Sequence, residues 1–171
     1  CGLKAYFSGE KVGGEQTFES FVCNSLDFRY KYHIRGDMAE VFRVKIIREF
    51  PFPEIPNEKF CPEAVVFQRI ASKYDFYYFY RKIYLCDYLP DGLTARITRI
   101  RMQCPVASTI CYSELIKSKV PIIQKIRASI NYWRFWLCQT TNQKANIGVL
   151  WLITFPLGFM MHINDKRKQK I

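Results

Sequence analysis

The chain has 171 residues and a mass of 20.3 kDa, enough for one domain with a hydrophobic core. With 49% hydrophobic and 24% charged residues, it lies outside the composition range of disordered chains. The seven cysteines are odd in number, form no CxxC pair, and have only two histidines as companions. This pattern excludes a disulfide framework and a structural zinc site as leading interpretations and favours reduced thiols in the cytoplasm.

The net charge of +11 arises entirely in the second half of the chain. Residues 1–91 contain 13 basic and 13 acidic side chains, whereas residues 92–171 contain 13 basic and two acidic ones. Such an asymmetry predicts a partner of opposite sign, either nucleic acid or an anionic membrane surface. No recognition helix or aromatic platform for bases is visible, so we expect no nucleic-acid partner.

The first half alternates short strand and helix patterns. Leu3–Phe7 predicts a strand, and Thr17–Leu26 predicts a short helix capped by Thr17. The polar and aromatic stretch Phe28–Ile34 predicts a second strand, which ends at a turn formed by Arg35, Gly36 and Asp37.

The next segment is divided by prolines. Lys45–Phe50 can form one helical turn, after which three prolines within six residues exclude a helix. Helical periodicity returns from Pro62, and the aromatic segments Tyr74–Tyr80 and Ile83–Tyr88 predict two strands. The alternation of short strands and helices predicts an α/β or α+β fold.

Two segments near the C-terminus suggest a membrane. Residues 121–138 have apolar residues at helical spacing, with Lys125, Arg127 and Arg134 on the other faces. This pattern fits a helix in a headgroup layer and equally a surface helix packed on a domain.

Residues 147–163 form a run of 17 residues without a formal charge. This run is shorter than a full span and contains Pro156 and Gly158, so spanning, shallow insertion and a buried core helix all stay open. The basic tail that follows favours the cytoplasmic, inner face of the membrane and anionic lipid. Its residues are Lys166, Arg167, Lys168 and Lys170.

A family resemblance rests on four segments in a fixed order. They are GDMAEVFR from Gly36, FPFPE from Phe50, NEKFCPE from Asn57 and YLPDGLT from Tyr88. In this order they resemble the C-terminal half of bacterial family 2 glycosyltransferases of the GT-A fold. The resemblance divides the chain into an acceptor-side half (1–103), amphipathic basic helices (104–146) and a membrane-associating segment with a basic tail (147–171).

The resemblance implies transfer of a sugar, with inversion, from a nucleotide-sugar donor to a hydroxyl of a glycan or lipid-linked acceptor. The product would be a cell-surface polysaccharide or glycoconjugate. In the family a divalent cation, Mg²⁺ or Mn²⁺, is held by a DxD motif in the nucleotide-binding half. No DxD occurs in this sequence, so we expect the cation ligands to lie outside this chain and a truncated enzyme that is inactive alone.

The resemblance also implies roles for individual residues. Glu63, six residues before Arg69, takes the position of the catalytic base. The other implied substrate-binding residues are Asp37, Glu40 and Arg43 on the pocket floor, Glu58 and Lys59 at its rim, and Asp91 and Thr94 in a closing loop.

Each of these residues also has a simpler interpretation. Glu63 can be a first-turn carboxylate stabilised by its helix dipole, and Asp37 a turn residue. Glu40 and Arg43 can form a surface ion pair, and the Asp91 loop can be a plain turn. The alternative hypothesis for the whole chain is a non-catalytic membrane-surface or scaffold domain with a degenerate glycosyltransferase shape.

Overall fold

The computed structural model describes residues 1–140 and 145–169, with the side chain of Gln169 left out. The chain is mixed α/β, with 45% helix and 10% strand, which confirms the predicted class. It divides into a sheet unit, Cys1–Pro51 with Gln68–Pro90, and a helical unit, Phe52–Phe67 with Asp91–Ile171. The helical unit therefore includes residues from all three segments that the sequence predicted.

The sheet unit contains two small sheets. In the first, β1 (Gly2–Ala5) lies between β3 (Met38–Ala39) and β5 (Lys82–Leu85). β1 is antiparallel to β3, with Leu3 opposite Met38, and parallel to β5. In the second, β2 (Phe21–Cys23) pairs antiparallel with β4 (Phe76–Tyr78). Leu3, Ala5 and Met38 are buried, so the first sheet supplies much of the core of this unit.

The remaining elements are helices. In chain order they are α1 (Ser25–Tyr30), α2 (Val44–Ile47), α3 (Glu63–Ala71), α4 (Ile97–Gln103), α5 (Pro105–Lys117), α6 (Ile122–Trp136), a 3₁₀ helix (Val149–Thr154) and α7 (Phe155–Gln169).

The predictions for residues 17–34 are wrong. The structure has strand β2 where a helix was expected and helix α1 where a strand was expected. The side chain of Asn24 accepts a hydrogen bond from the backbone N–H of Leu26, which caps α1, and its amide donates to the carbonyl of Ala71. Phe28 then stacks on Tyr78 with ring centroids 3.6 Å apart. Both contacts with Ala71 and Tyr78 are long-range, so they override the local alternation of aromatic residues.

The helical unit is centred on α6. Tyr112 of α5 stacks on Phe135 of α6 at 5.9 Å, and Gln139, just after α6, donates to Thr109 Oγ1 near the start of α5 at 2.6 Å. The two helices therefore run antiparallel. The predicted helix over residues 121–138 is confirmed as α6. Its buried face differs from the predicted apolar stripe, because Tyr132, Trp133 and Phe135 are buried whereas Ile122 and Ile123 are 66% and 50% exposed.

The uncharged segment 147–163 forms the 3₁₀ helix and the first part of α7. Pro156 is the second residue of α7, where its missing N–H costs no helical hydrogen bond, so α7 continues through it. Within residues 1–140 and 145–169, no helix combines the length and apolar composition that crossing a membrane requires.

α7 approaches α6 closely at Gly158. A Cβ atom at this position would lie 2.5 Å from the Cβ of Trp133 and 2.8 Å from the carbonyl oxygen of Ile130. Neither atom is the flexible end of a side chain, so only glycine fits without movement of a helix.

We expect Gly158→Ala to destabilise the protein by about 1–3 kcal/mol, because the added methyl group forces α7 away from α6. Thermal unfolding followed by circular dichroism measures this loss. Asn164→Ala, at an exposed position of the same helix, is the control and should change stability by less than about 0.5 kcal/mol. Equal melting temperatures for the two variants would contradict the close packing.

Candidate functional site: a carboxylate cluster and an exposed apolar face

The sheet unit carries a cluster of polar side chains around Asp37, just before β3. Asp37 Oδ2 accepts hydrogen bonds from Lys4 Nζ at 3.0 Å and from the Tyr88 hydroxyl at 2.6 Å. Lys4 lies in β1. The backbone turn that places Asp37 depends on Gly36, which has a φ of 112°. A Cβ at Gly36 would lie 2.8 Å from the carbonyl oxygen of Gly13, so this turn requires glycine.

Glu40, directly after β3, belongs to the same cluster. Burial raises the pKa of Glu40, and the negative charge of Asp37 adds to this effect against the opposing charges of Lys4 and Arg29. The Arg29 guanidinium is held close by, because it donates a hydrogen bond to the carbonyl oxygen of Gly36. The structure thus brings together two of the predicted substrate-binding carboxylates.

Asp37 and Glu40 differ in protonation behaviour. Burial alone would raise the pKa of Asp37, but the hydrogen bonds from Tyr88 and Lys4 outweigh it and hold that pKa below its ordinary value. The two carboxyl groups therefore have pKa values moved in opposite directions within one cluster. The cluster therefore combines one carboxylate that is stabilised in its ionised form with one whose ionised form is disfavoured by burial.

Arg43, the third predicted pocket residue in this unit, occupies another place. It is exposed at the start of α2 and lines a cleft of about 690 Å³. The cleft is also lined by Phe42, Phe76 and Tyr77, and neither Asp37 nor Glu40 lines it.

The other predicted site residues belong to the helical unit. Both oxygens of the Glu58 carboxylate accept hydrogen bonds at the start of α5, from the backbone N–H of Val106 at 2.7 Å and of Ala107 at 2.8 Å. Glu58 is therefore a helix cap in this structure. Lys59 is exposed beside it.

Glu63 is exposed as the first residue of α3. Asp91 and Thr94 are exposed in the turn that precedes α4. The carbonyl oxygen of Asp91 accepts a hydrogen bond from the Arg96 guanidinium, which holds this turn.

Sequence reasoning missed Lys4 and Tyr88, the two donors that hold Asp37. Lys4 carries one available signal, because it is the only charged residue in a strand whose other three residues are buried. Tyr88 has no local signal, since only the fold brings it near a residue 51 positions earlier.

The helical unit displays a second feature, a set of exposed apolar side chains that we call the apolar face. Each is between 47% and 81% exposed. The set comprises Val149, Leu150, Leu152 and Ile153 of the 3₁₀ helix and Leu157, Phe159 and Met160 of α7.

Basic residues follow the apolar face along α7. Lys166, Arg167 and Lys168 are exposed, and Lys170 lies outside the described residues. With a rise of 1.5 Å per residue, Lys168 is about 12 Å along the helix axis from Met160. The solvent-facing side of α7 therefore changes from apolar to basic along its length.

The described residues include no group of three or more His, Cys, Asp and Glu side chains placed to hold a metal ion. No family model, curated protein or solved structure matches the chain significantly.

The opposed pKa shifts predict opposite effects of two substitutions on stability. Asp37, with a lowered pKa, stabilises the fold at neutral pH, and this contribution disappears as the pH falls through its folded pKa. Tyr88→Phe should therefore lower the free energy of unfolding by about 1 kcal/mol at pH 7. The loss should be smaller at pH values below the ordinary Asp pKa of about 3.9. Glu40, with a raised pKa, costs stability when charged, so Glu40→Gln should stabilise the protein at pH 7 and lose this advantage in acid.

Urea unfolding at pH 7 and in acid measures both effects. Tyr77→Phe removes an exposed hydroxyl outside the cluster and is the matched control. A Tyr88→Phe variant as stable as Tyr77→Phe at pH 7 would contradict the role of Tyr88.

Proposed function

We propose that this chain is part of a family 2-type glycosyltransferase that works at the inner, anionic surface of a membrane. The reaction is transfer of a sugar from a nucleotide-sugar donor to a hydroxyl of a glycan or lipid-linked acceptor. The observation that carries the proposal is the geometry of the Asp37–Glu40 cluster, in which Lys4 and Tyr88 hold a half-exposed Asp37 carboxylate close to Glu40. The ordered sequence motifs that contain these residues support the same family.

Ionised carboxylates suit the recognition of sugar hydroxyls, because a carboxylate oxygen accepts strong hydrogen bonds from O–H groups. Asp37 is held in place by Lys4 and Tyr88, and 46% of its side chain stays exposed. It can therefore accept a hydrogen bond from a substrate without giving up its own partners. We assign Asp37 and Glu40 the binding and orientation of acceptor or donor hydroxyls.

Glu63 carries the proposed role of general base, on the family resemblance alone. Its exposure at the first turn of α3 leaves the carboxylate accessible to a hydroxyl group. A base within hydrogen-bond distance of the acceptor would take its proton as the oxygen attacks the anomeric carbon. The divalent cation of the family supplies charge compensation for the leaving diphosphate, and we assign no residue of this chain to it.

We do not assign Glu58 the substrate-binding role at the pocket rim that the resemblance implies. Both of its oxygens are occupied by the α5 cap. We therefore propose that Glu58 supports the region around Lys59 and Glu63 through α5.

The apolar face supports the membrane part of the proposal. Exposed apolar surface of this extent marks an interaction site, and the neighbouring basic residues complement an anionic lipid surface. We propose that the side chains of the apolar face enter the boundary between headgroups and acyl chains, with Lys166, Arg167 and Lys168 at the level of the phosphates.

A transfer assay tests the enzyme. We expect metal-dependent transfer from at least one nucleotide sugar in a donor panel, measured on the chain together with any sequence that precedes Cys1 in its natural protein. Glu63→Gln should lower kcat at least about 100-fold, because a general base contributes 10²–10⁴ in rate. Asp37→Asn should lower kcat/KM about tenfold, through loss of a charged hydrogen bond.

Glu19→Gln, an exposed carboxylate outside the cluster, is the control and should keep full activity. Transfer that survives Glu63→Gln would overturn the assignment of the base. Absence of transfer with every donor would favour the second candidate.

The second candidate is a non-catalytic membrane-surface domain. The apolar face favours it as much as it favours the enzyme, because attachment to lipid requires no catalytic residue. Only the transfer assay distinguishes the two functions, because both hypotheses predict binding to anionic vesicles.

Vesicle co-sedimentation tests the membrane contact. We expect binding to vesicles that contain phosphatidylglycerol, and at least tenfold weaker binding of the double variant Leu150→Ser with Ile153→Ser. Each buried aliphatic side chain contributes on the order of 1.5 kcal/mol, which is a factor of about ten in partition. The control is Val22→Ser with Val44→Ser, two exposed apolar residues of the sheet unit. Equal binding by both double variants would contradict the apolar face as the membrane contact.

A further inference from the structure

A small basic pocket lies in the helical unit where the start of α4 meets the last turns of α7. Its volume is about 310 Å³. It is lined by four cationic side chains and one carboxylate, with Thr98 beside them. The charged residues are Arg96, Arg99, Arg134, Asp165 and Lys168.

One wall of this pocket carries no net charge, because its two charged residues form an ion pair. Arg134 makes a two-point ion pair with Asp165, from Nε to Oδ2 at 2.5 Å and from Nη2 to Oδ1 at 2.9 Å. Its Nη1 donates to the side chain of Asn131 at 3.2 Å. Both members are largely buried, with side-chain exposures of 15% and 8%. This pair forms one wall of the pocket and contributes no net charge.

The other three cations form no ion pair within the part of the chain that the structure describes. Arg96 donates one hydrogen bond, and its acceptor is the uncharged backbone carbonyl oxygen of Asp91. Arg99 and Lys168 form no ion pair and no side-chain hydrogen bond with a described residue. Three positive charges therefore face one cavity, and an anion placed there would relieve their mutual repulsion.

The donors match one kind of anion. A guanidinium group presents a planar fork of N–H donors that fits two oxygens of a phosphate, and a lysine adds a compact charge. Two guanidinium groups, one ammonium group and the Thr98 hydroxyl supply more donors than a singly charged carboxylate can accept. Three positive charges also suit a dianion better than a monoanion.

We propose that this pocket binds a phosphate monoester group, with Arg96, Arg99 and Lys168 as its ligands and the Arg134–Asp165 pair as its back wall. The group can be a soluble phosphate or the headgroup of a phosphomonoester lipid, because both present the same dianion. Lys168 lies on the same helix as the apolar face, so a lipid headgroup could be held beside a membrane contact. The pocket itself does not depend on sugar transfer or on membrane attachment.

Titration with inorganic phosphate, at constant ionic strength adjusted with chloride, tests the site in the absence of lipid. Calorimetry should show saturable binding, at least tenfold weaker in the double variant Arg99→Gln with Lys168→Gln. Lys119→Gln with Arg127→Gln removes the same two charge types from exposed positions of the helical unit that do not line the pocket. This control should bind phosphate with the affinity of the unaltered protein.

A second arm identifies the source of the phosphate. If the natural ligand is a lipid headgroup, the protein prefers vesicles with phosphatidic acid over vesicles of equal charge with phosphatidylglycerol, and only the pocket double variant loses this preference. If the natural ligand is soluble, phosphate titration distinguishes the two double variants and the vesicle preference is absent.

Equal phosphate affinity of the two double variants, or binding that does not saturate, would overturn the proposal. All four substituted side chains are exposed, and unchanged melting temperatures would show that both variants stay folded. Loss of vesicle binding in the apolar-face variant with phosphate binding intact would separate the membrane contact from the pocket.

Discussion

The arrangement of the helical unit depends on the buried ion pair between Arg134 of α6 and Asp165 of α7. Two charged groups with side-chain exposures of 15% and 8% are stable only when each satisfies the other, and removal of one partner from such a pair costs about 3–5 kcal/mol. Asp165 is one of only two acidic residues after position 91. The pairing of Asp165 with Arg134 therefore fixes the orientation of α7 about its own axis.

Two neighbouring positions enforce the same rotation. Gly158 allows the backbones of α6 and α7 to approach, and His162 Nδ1 donates a hydrogen bond to the carbonyl oxygen of Arg134 at 3.1 Å. Residues 158, 162 and 165 lie on one side of an α-helix, so this side is committed to α6. Leu157 and Met160 then face solvent, and Lys168 reaches the basic pocket. The apolar face and the basic pocket are two consequences of one helix orientation.

The sequence predicted the parts of the fold that are governed by local pattern. Apolar spacing located α6 within two residues at each end, and the Pro62–Glu63 start located α3. The predictions for α1 and β2 failed because the hydrogen bond from the Asn24 amide to Ala71 and the Phe28–Tyr78 stack join residues about 50 positions apart. The same reason applies to the candidate site. Asp37 and Glu40 could be named from their motif, whereas Lys4 and Tyr88 join them only through the pairing of β1 with β3 and the course of the chain after β5.

Hydrogen–deuterium exchange in the presence of anionic vesicles tests most directly whether the orientation of α7 creates the membrane contact. We expect the backbone amides of Val149–Met160 to exchange more slowly with vesicles than without them, and those of the sheet unit to be unaffected. Unchanged exchange in Val149–Met160, or protection confined to the sheet unit, would contradict the proposed surface.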